Sequence, residues 1–265
     1  MEFSLFAHME RLTADQDHQS LYEEFIGLCQ MADDGGMRAI WTGEHHGMEF
    51  TIAPNPFTTL VDLSHRTKNV RLGTGTVIVP FWHPIKLAGE AAMADVITGG
   101  RIEIGAARGA YSYEYERMLP GLDAWEAGQR LRESLPLMRP LWAGDCAHDG
   151  VFHSFPVTPL WLGDDEIDSL MYRCNAACDS YGGPRPKIML LHHTYVSSDG
   201  DDTDSAAQEL SRFYNYFGAW FKNKRPVEQG LIERIPEQDI ANNKMMAPEN
   251  MRRDLTIGTA QEVID

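Results

Sequence analysis

The sequence predicts an α/β protein, and within that class it favours a (β/α)8 TIM barrel. Four apolar runs rich in β-forming residues begin near Phe3, Met37, Val70 and Ile102. Their spacing is roughly 33 residues, the size of one strand–helix unit. The turn after the first run, AHMERLTADQ, contains no glycine, whereas a dinucleotide-binding sheet should show G-x-G-x-x-G there. A strand–helix repeat sustained over the first half of the chain therefore favours the barrel over a doubly wound sheet.

Three helices are predicted between these runs, and each has a helical apolar face. The faces are formed by Leu21, Phe25, Leu28 and Cys29, by Leu60 and Leu63, and by Leu87, Ala91 and Ala94. Pro56 and Pro84 suit a first helical turn, where the missing N–H costs no hydrogen bond. Gly99 and Gly100 predict the end of the third helix.

The regular spacing breaks after residue 144. Residues 144–159 combine turn formers with aromatic alternation, which predicts an excursion or a hairpin. Beyond it the pattern predicts strands at Val157–Leu162 and Lys187–Val196, and helices at Asp164–Tyr181, Ser205–Lys224 and Pro248–Leu255. We expect all of these elements to belong to a single barrel domain that spans residues 1–265.

Charge and composition exclude several classes of function. The chain has 265 residues, 43% of them hydrophobic, and a net charge of −16. Nucleic acid and anionic membranes are therefore not expected as partners, because the surface would repel them. Neither a long apolar run nor a basic, apolar N-terminal region is visible, so we expect a cytoplasmic protein. The four cysteines lack C-x-x-C spacing and are expected to be ordinary reduced residues.

Glu44, His45 and His46 directly follow the second predicted strand, where barrel residues face the active site. A metal site is disfavoured, because adjacent histidines on extended backbone point apart. A general acid or base is a second interpretation, since a carboxylate can steer an imidazole. A third is that all three residues only satisfy hydrogen bonds at the barrel rim. The residues alone leave the second and third interpretations open.

Two further segments carry candidate site residues. Gly73 and Gly75 lie inside the third strand, where glycine marks a bulge, a kink or the close approach of a flat ligand. After the fourth strand, Gly105 and two alanines leave room beside Arg108. That arginine is predicted either to clamp an anion or to form a structural ion pair.

Taken in order, these motifs resemble the bacterial luciferase-like flavin-dependent monooxygenases. The resemblance rests on EHH after the second strand, Asn55-Pro56, G-T-x5-P at 73–80, His83-Pro84, and G-R-x3-G-x2-R-G-x-Y at 100–111. Each motif alone is weak, but the ordered set is specific and covers about the first half of the chain.

The resemblance implies a fold and a chemistry. The family is a TIM barrel of the luciferase-like type, which binds reduced FMN supplied by a separate flavin reductase. It reacts the flavin with O2 and oxidises a small organic substrate through a flavin (hydro)peroxide. The chain would then be an oxidoreductase, and we expect it to form a homodimer.

The resemblance also implies roles for individual residues. His45 would be the acid/base histidine beside the flavin, with Glu44 as its neighbour. Gly75-Thr76 would form the bulge whose non-prolyl cis peptide lies against the flavin ring. Arg108 would contact the FMN phosphate and Tyr111 would border the substrate. Ala107 stands where light-emitting members carry a reactive cysteine, which argues against bioluminescence.

Two departures from the family pattern concern the second half. At Thr158-Pro159 two flanks that each resemble family sequence are fused, where family members have another strand and a phosphate-binding turn. Residues 257–265 resemble the start of a late helix that family members follow with a final strand. We expect missing segments at these points, with an authentically shortened barrel as the alternative.

Three other functions stay open on the sequence. The same barrel serves deazaflavin-dependent oxidoreductases, which transfer hydride without O2. A shortened barrel suits a flavin-binding protein without catalysis, and a metal-dependent hydrolase is a more distant alternative. His192 and His193, at the end of a predicted strand, are secondary site candidates.

Overall fold

The computed structural model describes residues 2–145, 154–157, 164–181, 187–198, 203–222 and 225–264. They form two compact units: Met1–Phe152 with Arg225–Glu233, and His153–Lys224 with Arg234–Asp265. Within these described ranges, none of the helices combines the length and the apolar character of a membrane span. The single domain over residues 1–265 stays a prediction.

The first unit contains a parallel sheet of four strands in the order β1-β2-β3-β4, which confirms the four apolar runs as strands. The strands are β1 (Leu5–Phe6), β2 (Ala39–Thr42), β3 (Arg71–Ile78) and β4 (Ile102–Ala107). The helices are α1 (His18–Asp34), α2 (Pro56–Arg66), α3 (Pro84–Thr98), α4 (Ser112–Met118) and α5 (Ala124–Asp145).

The helices of this unit begin and end for local reasons. The side chain of Asp17 accepts the backbone N–H of Ser20 at 2.7 Å and caps α1. The side chain of Asn55 accepts that of Phe57 at 3.0 Å and caps α2. Helix α3 ends at Thr98, and the next residue, Gly99, has a φ of 69°, in the left-handed region that glycine adopts without a steric penalty. These boundaries confirm the three predicted helices.

The core of the first unit lies between the sheet and α1–α3. Several of its fully buried side chains belong to the predicted apolar faces and strands: Cys29, Ile40, Leu60, Leu63, Leu72 and Leu87. At the amino ends of the strands, Glu103 contacts the guanidinium groups of Arg38 at 2.7 Å and Arg71 at 2.5 Å. This ion-pair network joins β4 to the residues that begin β2 and β3, at the end of the sheet opposite the predicted site.

The second unit contains two pairs of parallel strands. They are β5 (Ser154–Val157) with β6 (Lys187–Leu190), and β7 (Thr194–Ser197) with β10 (Thr256–Thr259). Its helices are α6 (Asp164–Tyr181), α7 (Thr203–Lys222), α8 (Glu237–Asn242), α9 (Pro248–Asp254) and α10 (Ala260–Ile264). A hairpin of β8 (Val227–Glu228) and β9 (Leu231–Ile232) belongs to the first unit and was not predicted.

The predictions for the second half hold in part. Helix α6 is confirmed with its predicted ends, and α7 and α9 are confirmed with shifts of one or two residues. The single predicted strand at Lys187–Val196 is wrong, because residues 191–193 separate β6 from β7. The predicted strand at Val157–Leu162 overlaps β5 only at Val157. Its remainder, the junction Thr158-Pro159 and most of the 144–159 excursion lie outside the described residues.

Candidate active site

The carboxyl ends of β1–β4 bring the predicted site residues of the first unit to one edge of the sheet. Parallel strands place these ends together, and barrel enzymes build their active sites there. Glu44, His45 and His46 follow β2, Gly75 and Thr76 lie in β3, Ala107 ends β4, and Arg108 and Tyr111 precede α4. His8 follows β1 at the same edge, although sequence reasoning did not select it.

Glu44 is a buried carboxylate that organises the end of β2. Its side chain is 1% exposed and contacts Nε2 of His46 at 2.7 Å. It also accepts the backbone N–H of Ile78 at 2.7 Å and the indole N–H of Trp82 at 3.0 Å. Glu44 therefore orients His46 and fixes the chain after β3, and it does not contact His45 through a hydrogen bond recorded in the structure.

The carboxylate beside His45 is Glu114, in the first turn of α4. Its oxygens lie 3.4 Å from Nδ1 of His45, and one of them accepts the backbone N–H of His46 at 2.7 Å. The Glu114 side chain is 1% exposed. Each of the two adjacent histidines thus has its own buried carboxylate. The signal in the sequence was an acidic residue three positions after Tyr111, which only the helical start of α4 turns toward His45.

Aromatic rings enclose the imidazole of His45. The ring centroids of His8 and Phe50 lie 5.3 Å from it, and that of Tyr111 lies 5.6 Å away. Tyr111 is buried, and burial raises the pKa of its hydroxyl, with further contributions from Glu114 and Glu10. His45 is consequently held in a mainly apolar environment with one carboxylate at Nδ1, which suits a proton-transfer group.

The two glycines of β3 are each approached closely by an aromatic side chain of the protein. A side chain on Gly73 would overlap the indole of Trp41, with Cβ 2.2 Å from the ring, so this glycine accommodates a neighbour on β2. Gly75 lies at the predicted bulge, where the pairing of β3 with β4 shifts register between Thr74 and Val77. The Gly75-Thr76 peptide bond is cis. A Cβ atom on Gly75 would lie 2.9 Å from the ring of Phe6, so each glycine leaves room for an aromatic side chain of the protein itself.

Arg108 extends from the edge without an acidic partner among the described residues. Its guanidinium lies 3.4 Å from the hydroxyl of Tyr115 and 3.4 Å from the carbonyl oxygen of Ala124. Ala107 beside it is small and half-buried. The structural ion pair, one of the two interpretations of Arg108, is therefore absent from the described part of the chain, and the guanidinium is available to an anion.

The other histidine candidates have structural partners in the second unit. His192 contacts Thr256 through Nδ1 at 2.9 Å and the carbonyl oxygen of Asp254 through Nε2 at 2.8 Å. His193 contacts the hydroxyl of Tyr214 at 2.7 Å, and burial lowers its pKa to about 4. Across the described ranges, no group of three histidine, cysteine or acidic residues is arranged to hold a metal ion.

Comparison with known proteins gives the family. Residues 1–164 match the model of the luciferase-like monooxygenases. The chain is 53% identical over 303 aligned positions to the oxygenase component of a flavin-dependent trigonelline monooxygenase from Acinetobacter baylyi, covering 100% of this chain and 84% of that protein. The chain belongs to the luciferase-like monooxygenase family. The 303 aligned positions exceed the 265 residues of this chain, so the alignment contains residues of the relative that this luciferase-like chain lacks.

Solved structures confirm the predicted luciferase-like TIM-barrel fold. Monooxygenase RslO1 from Streptomyces bottropensis superposes with a TM-score of 0.72 at 22% identity, covering 98% of this chain and 92% of that one. An F420-dependent secondary alcohol dehydrogenase gives a TM-score of 0.72 at 13% identity, covering 99% and 87%. The same fold thus occurs in a monooxygenase and in an F420-dependent dehydrogenase, so the fold alone does not indicate the cofactor.

Replacing Glu114 with glutamine tests its role at His45. The amide keeps an acceptor for the N–H of His46 but removes the negative charge at Nδ1, so we expect turnover to fall about 10- to 100-fold with little change in the melting temperature. The exposed Glu116→Gln on the same helix is the matched control and should keep full activity. Full activity in Glu114→Gln would remove this carboxylate from the mechanism.

Proposed function

We propose that this chain is the oxygenase component of a two-component monooxygenase, which uses reduced FMN and O2 to oxidise trigonelline or a closely related N-methylpyridinium carboxylate. The observation that carries the proposal is the 53% identity to a flavin-dependent trigonelline monooxygenase across the whole of this chain. A separate flavin reductase supplies the reduced FMN in this proposal. We further propose that the enzyme is cytoplasmic and forms a homodimer. Analytical ultracentrifugation tests the oligomeric state.

The residues at the carboxyl edge of β1–β4 fit a flavin. Gly75, Thr76 and Ala107 offer little side-chain bulk beside a candidate ring site, and Arg108 offers a guanidinium to the phosphate. The buried Nε2 atom of His8 has no hydrogen-bond partner among the described residues, which indicates a polar ligand at this edge. In this assignment Tyr111 borders the substrate. Bound reduced FMN supplies the electrons that activate O2.

The protein's part in the reaction is to hold and move a proton at His45. The Glu114 carboxylate contacts Nδ1, which favours the tautomer with its proton on that atom and leaves Nε2 as the base. The rings of Phe50 and Tyr111 pack around the imidazole and leave the His45 side chain 17% exposed. Glu44 acts indirectly, because it fixes His46 and the backbone on which His45 is carried.

A half-buried acidic pair supports a cationic substrate. The backbone N–H of Arg11 donates to the carbonyl oxygen of Glu49 at 2.8 Å, which places Glu10 beside Glu49. Burial and the charge of Glu49 raise the pKa of Glu10 to about 7. Trigonelline carries a quaternary pyridinium nitrogen, and such cations bind aromatic faces and carboxylates. The rings of Phe50 and Tyr111 with Glu10 provide both kinds of group.

A deazaflavin-dependent oxidoreductase is the second candidate. The observation that favours it is the likeness to F420-dependent enzymes, whose TM-scores of 0.72 and 0.70 are as high as those of the monooxygenases. Their 13% identity shows the fold alone. In the alignment with the trigonelline enzyme, by contrast, 53% of the positions are identical. We therefore place the oxygenase first.

Oxygen uptake tests the proposed function. With a flavin reductase, NADH, FMN and trigonelline, we expect the protein to consume trigonelline with equimolar O2, in excess of the uptake by free reduced flavin. His45→Ala should slow this coupled consumption about 100-fold, because it removes the acid/base group. Trigonelline left unchanged by the wild-type protein under these conditions would contradict the proposal. A non-catalytic flavin-binding protein would bind FMN and give this result.

Replacing Arg108 with alanine tests the phosphate contact. A lost charge-assisted hydrogen bond should weaken reduced FMN binding about 10- to 100-fold and leave reduced riboflavin, which lacks the phosphate, nearly unaffected. Anaerobic fluorescence titration with both ligands measures the difference. Equal losses for the two ligands would mean that Arg108 acts through the structure of the edge and not through the phosphate.

Replacing Glu10 with glutamine tests cation recognition. Glu10 is charged above about pH 7 and neutral below it, so its attraction for a pyridinium is present at high pH and lost as the pH falls through 7. Above pH 7 we expect the KM for trigonelline to rise about 10-fold in the variant, and below pH 6 the two proteins should converge. Comparing variant with wild type at each pH cancels the ionisation of the free flavin. A KM ratio independent of pH would contradict this role.

A further inference from the structure

His8 lies at the same edge as the candidate active site. It directly follows Ala7, whose backbone is hydrogen-bonded to β2. The N–H of Ala7 donates to the carbonyl oxygen of Trp41 at 3.0 Å, so the parallel pairing of β1 and β2 continues up to His8. The imidazole centroid of His8 lies 4.7 Å from that of Phe6 and 5.3 Å from that of His45. The ring is therefore held between two aromatic neighbours.

The tautomer of His8 follows from its one hydrogen bond. Nδ1 lies 3.2 Å from the backbone carbonyl oxygen of Phe50, and a carbonyl oxygen only accepts, so Nδ1 carries the proton. Burial, with the charge of His45 as a smaller cause, lowers the pKa of His8 to about 3. The ring is thus neutral at physiological pH, and its Nε2 atom is a lone-pair acceptor.

This acceptor is buried and has no protein partner in the described ranges. Buried polar atoms are nearly always hydrogen-bonded, so the atom indicates a donor that comes from a ligand. A Cβ atom built on Gly43 would lie 3.0 Å from Nε2 of His8 and 3.0 Å from the carbonyl oxygen of Gly75. The Gly43 backbone therefore lies directly against both Nε2 of His8 and the Gly75-Thr76 peptide, which places the imidazole acceptor next to that peptide.

We propose that Nε2 of His8 accepts a hydrogen bond from an N–H group of the reduced flavin ring, and that this contact makes the site select reduced over oxidised flavin. The inference rests on the proposed function, because it takes flavin as the ligand at this edge. Reduced flavin carries N–H at N5, whereas oxidised flavin has a bare lone pair there. A neutral imidazole whose only proton is committed to Phe50 pairs with the first and repels the second.

This selectivity would serve a two-component enzyme. The oxygenase must capture reduced flavin from a reductase and release oxidised flavin after turnover. A group that only accepts a hydrogen bond favours the capture of reduced flavin and the release of oxidised flavin, and its own protonation state stays the same in both events. The buried environment of His8 supports this function, since it keeps the ring from gaining the second proton that would reverse the preference.

The test compares dissociation constants for oxidised and reduced FMN, the latter measured anaerobically, in His8→Phe and His8→Gln. In His8→Phe, which keeps a ring and loses the acceptor, reduced FMN should bind about 10-fold more weakly and oxidised FMN should bind as before or more tightly. In His8→Gln, whose amide both donates and accepts, reduced FMN should keep its affinity while oxidised FMN gains about 10-fold. The exposed His18→Gln is the control and should match the wild type.

The selectivity ratio separates this role from a structural one, because a loosened site weakens both redox forms together. An unchanged ratio in the folded His8→Phe protein overturns the proposal. Should that variant not fold, an unchanged ratio in His8→Gln overturns it equally. If the wild type oxidises trigonelline and the ratio does not respond, only the inference about His8 fails. If the wild type does not bind reduced FMN, the proposed function fails with it.

Discussion

The candidate site depends on the burial of two carboxylates, Glu44 and Glu114, beside two adjacent histidines. A buried charge is costly unless donors surround it, and breaking such an arrangement by removing one partner typically costs about 3–5 kcal/mol. The donors come from the ends of β2 and β3 and from the indole of Trp82. These carboxylates therefore fix the backbone of several segments at once, and the orientation of His45 is a consequence of that arrangement.

The opposite ends of the same strands are fixed by different means. There Glu103 joins the guanidinium groups of Arg38 and Arg71, and the carboxylate of Asp33 accepts the backbone N–H groups of residues 68–70. These contacts are satisfied within the protein and need no ligand. At the carboxyl edge, in contrast, Nε2 of His8 is left without a partner among the described residues. Barrel folds separate stability from chemistry in this way.

Much of the first unit could be predicted from the sequence, because its strands and helices have clear apolar periodicity and local caps. Periodicity was less informative around Lys187–Val196, where one continuous apolar run contains two strands and the break at residues 191–193 has no glycine or proline.

Glu114 and His8 were missed for a different reason. Glu114 lies about seventy positions from His45 and meets it only through the fold, and an isolated histidine after a short strand carries no motif. The pairing of Glu44 with His46 was equally invisible, since spacing does not define side-chain direction at a strand end.

The central claim is that this edge of the barrel supports transfer of an oxygen atom from O2 to the substrate, and not hydride transfer. Oxidation of trigonelline under ¹⁸O2 in ordinary water, with the product examined by mass spectrometry, tests it most directly. The account predicts that one labelled oxygen atom enters the oxidised product and that the second appears in water. An oxidised product without label, formed at a rate that does not depend on O2, would contradict the account and favour a deazaflavin-type oxidoreductase on the same fold.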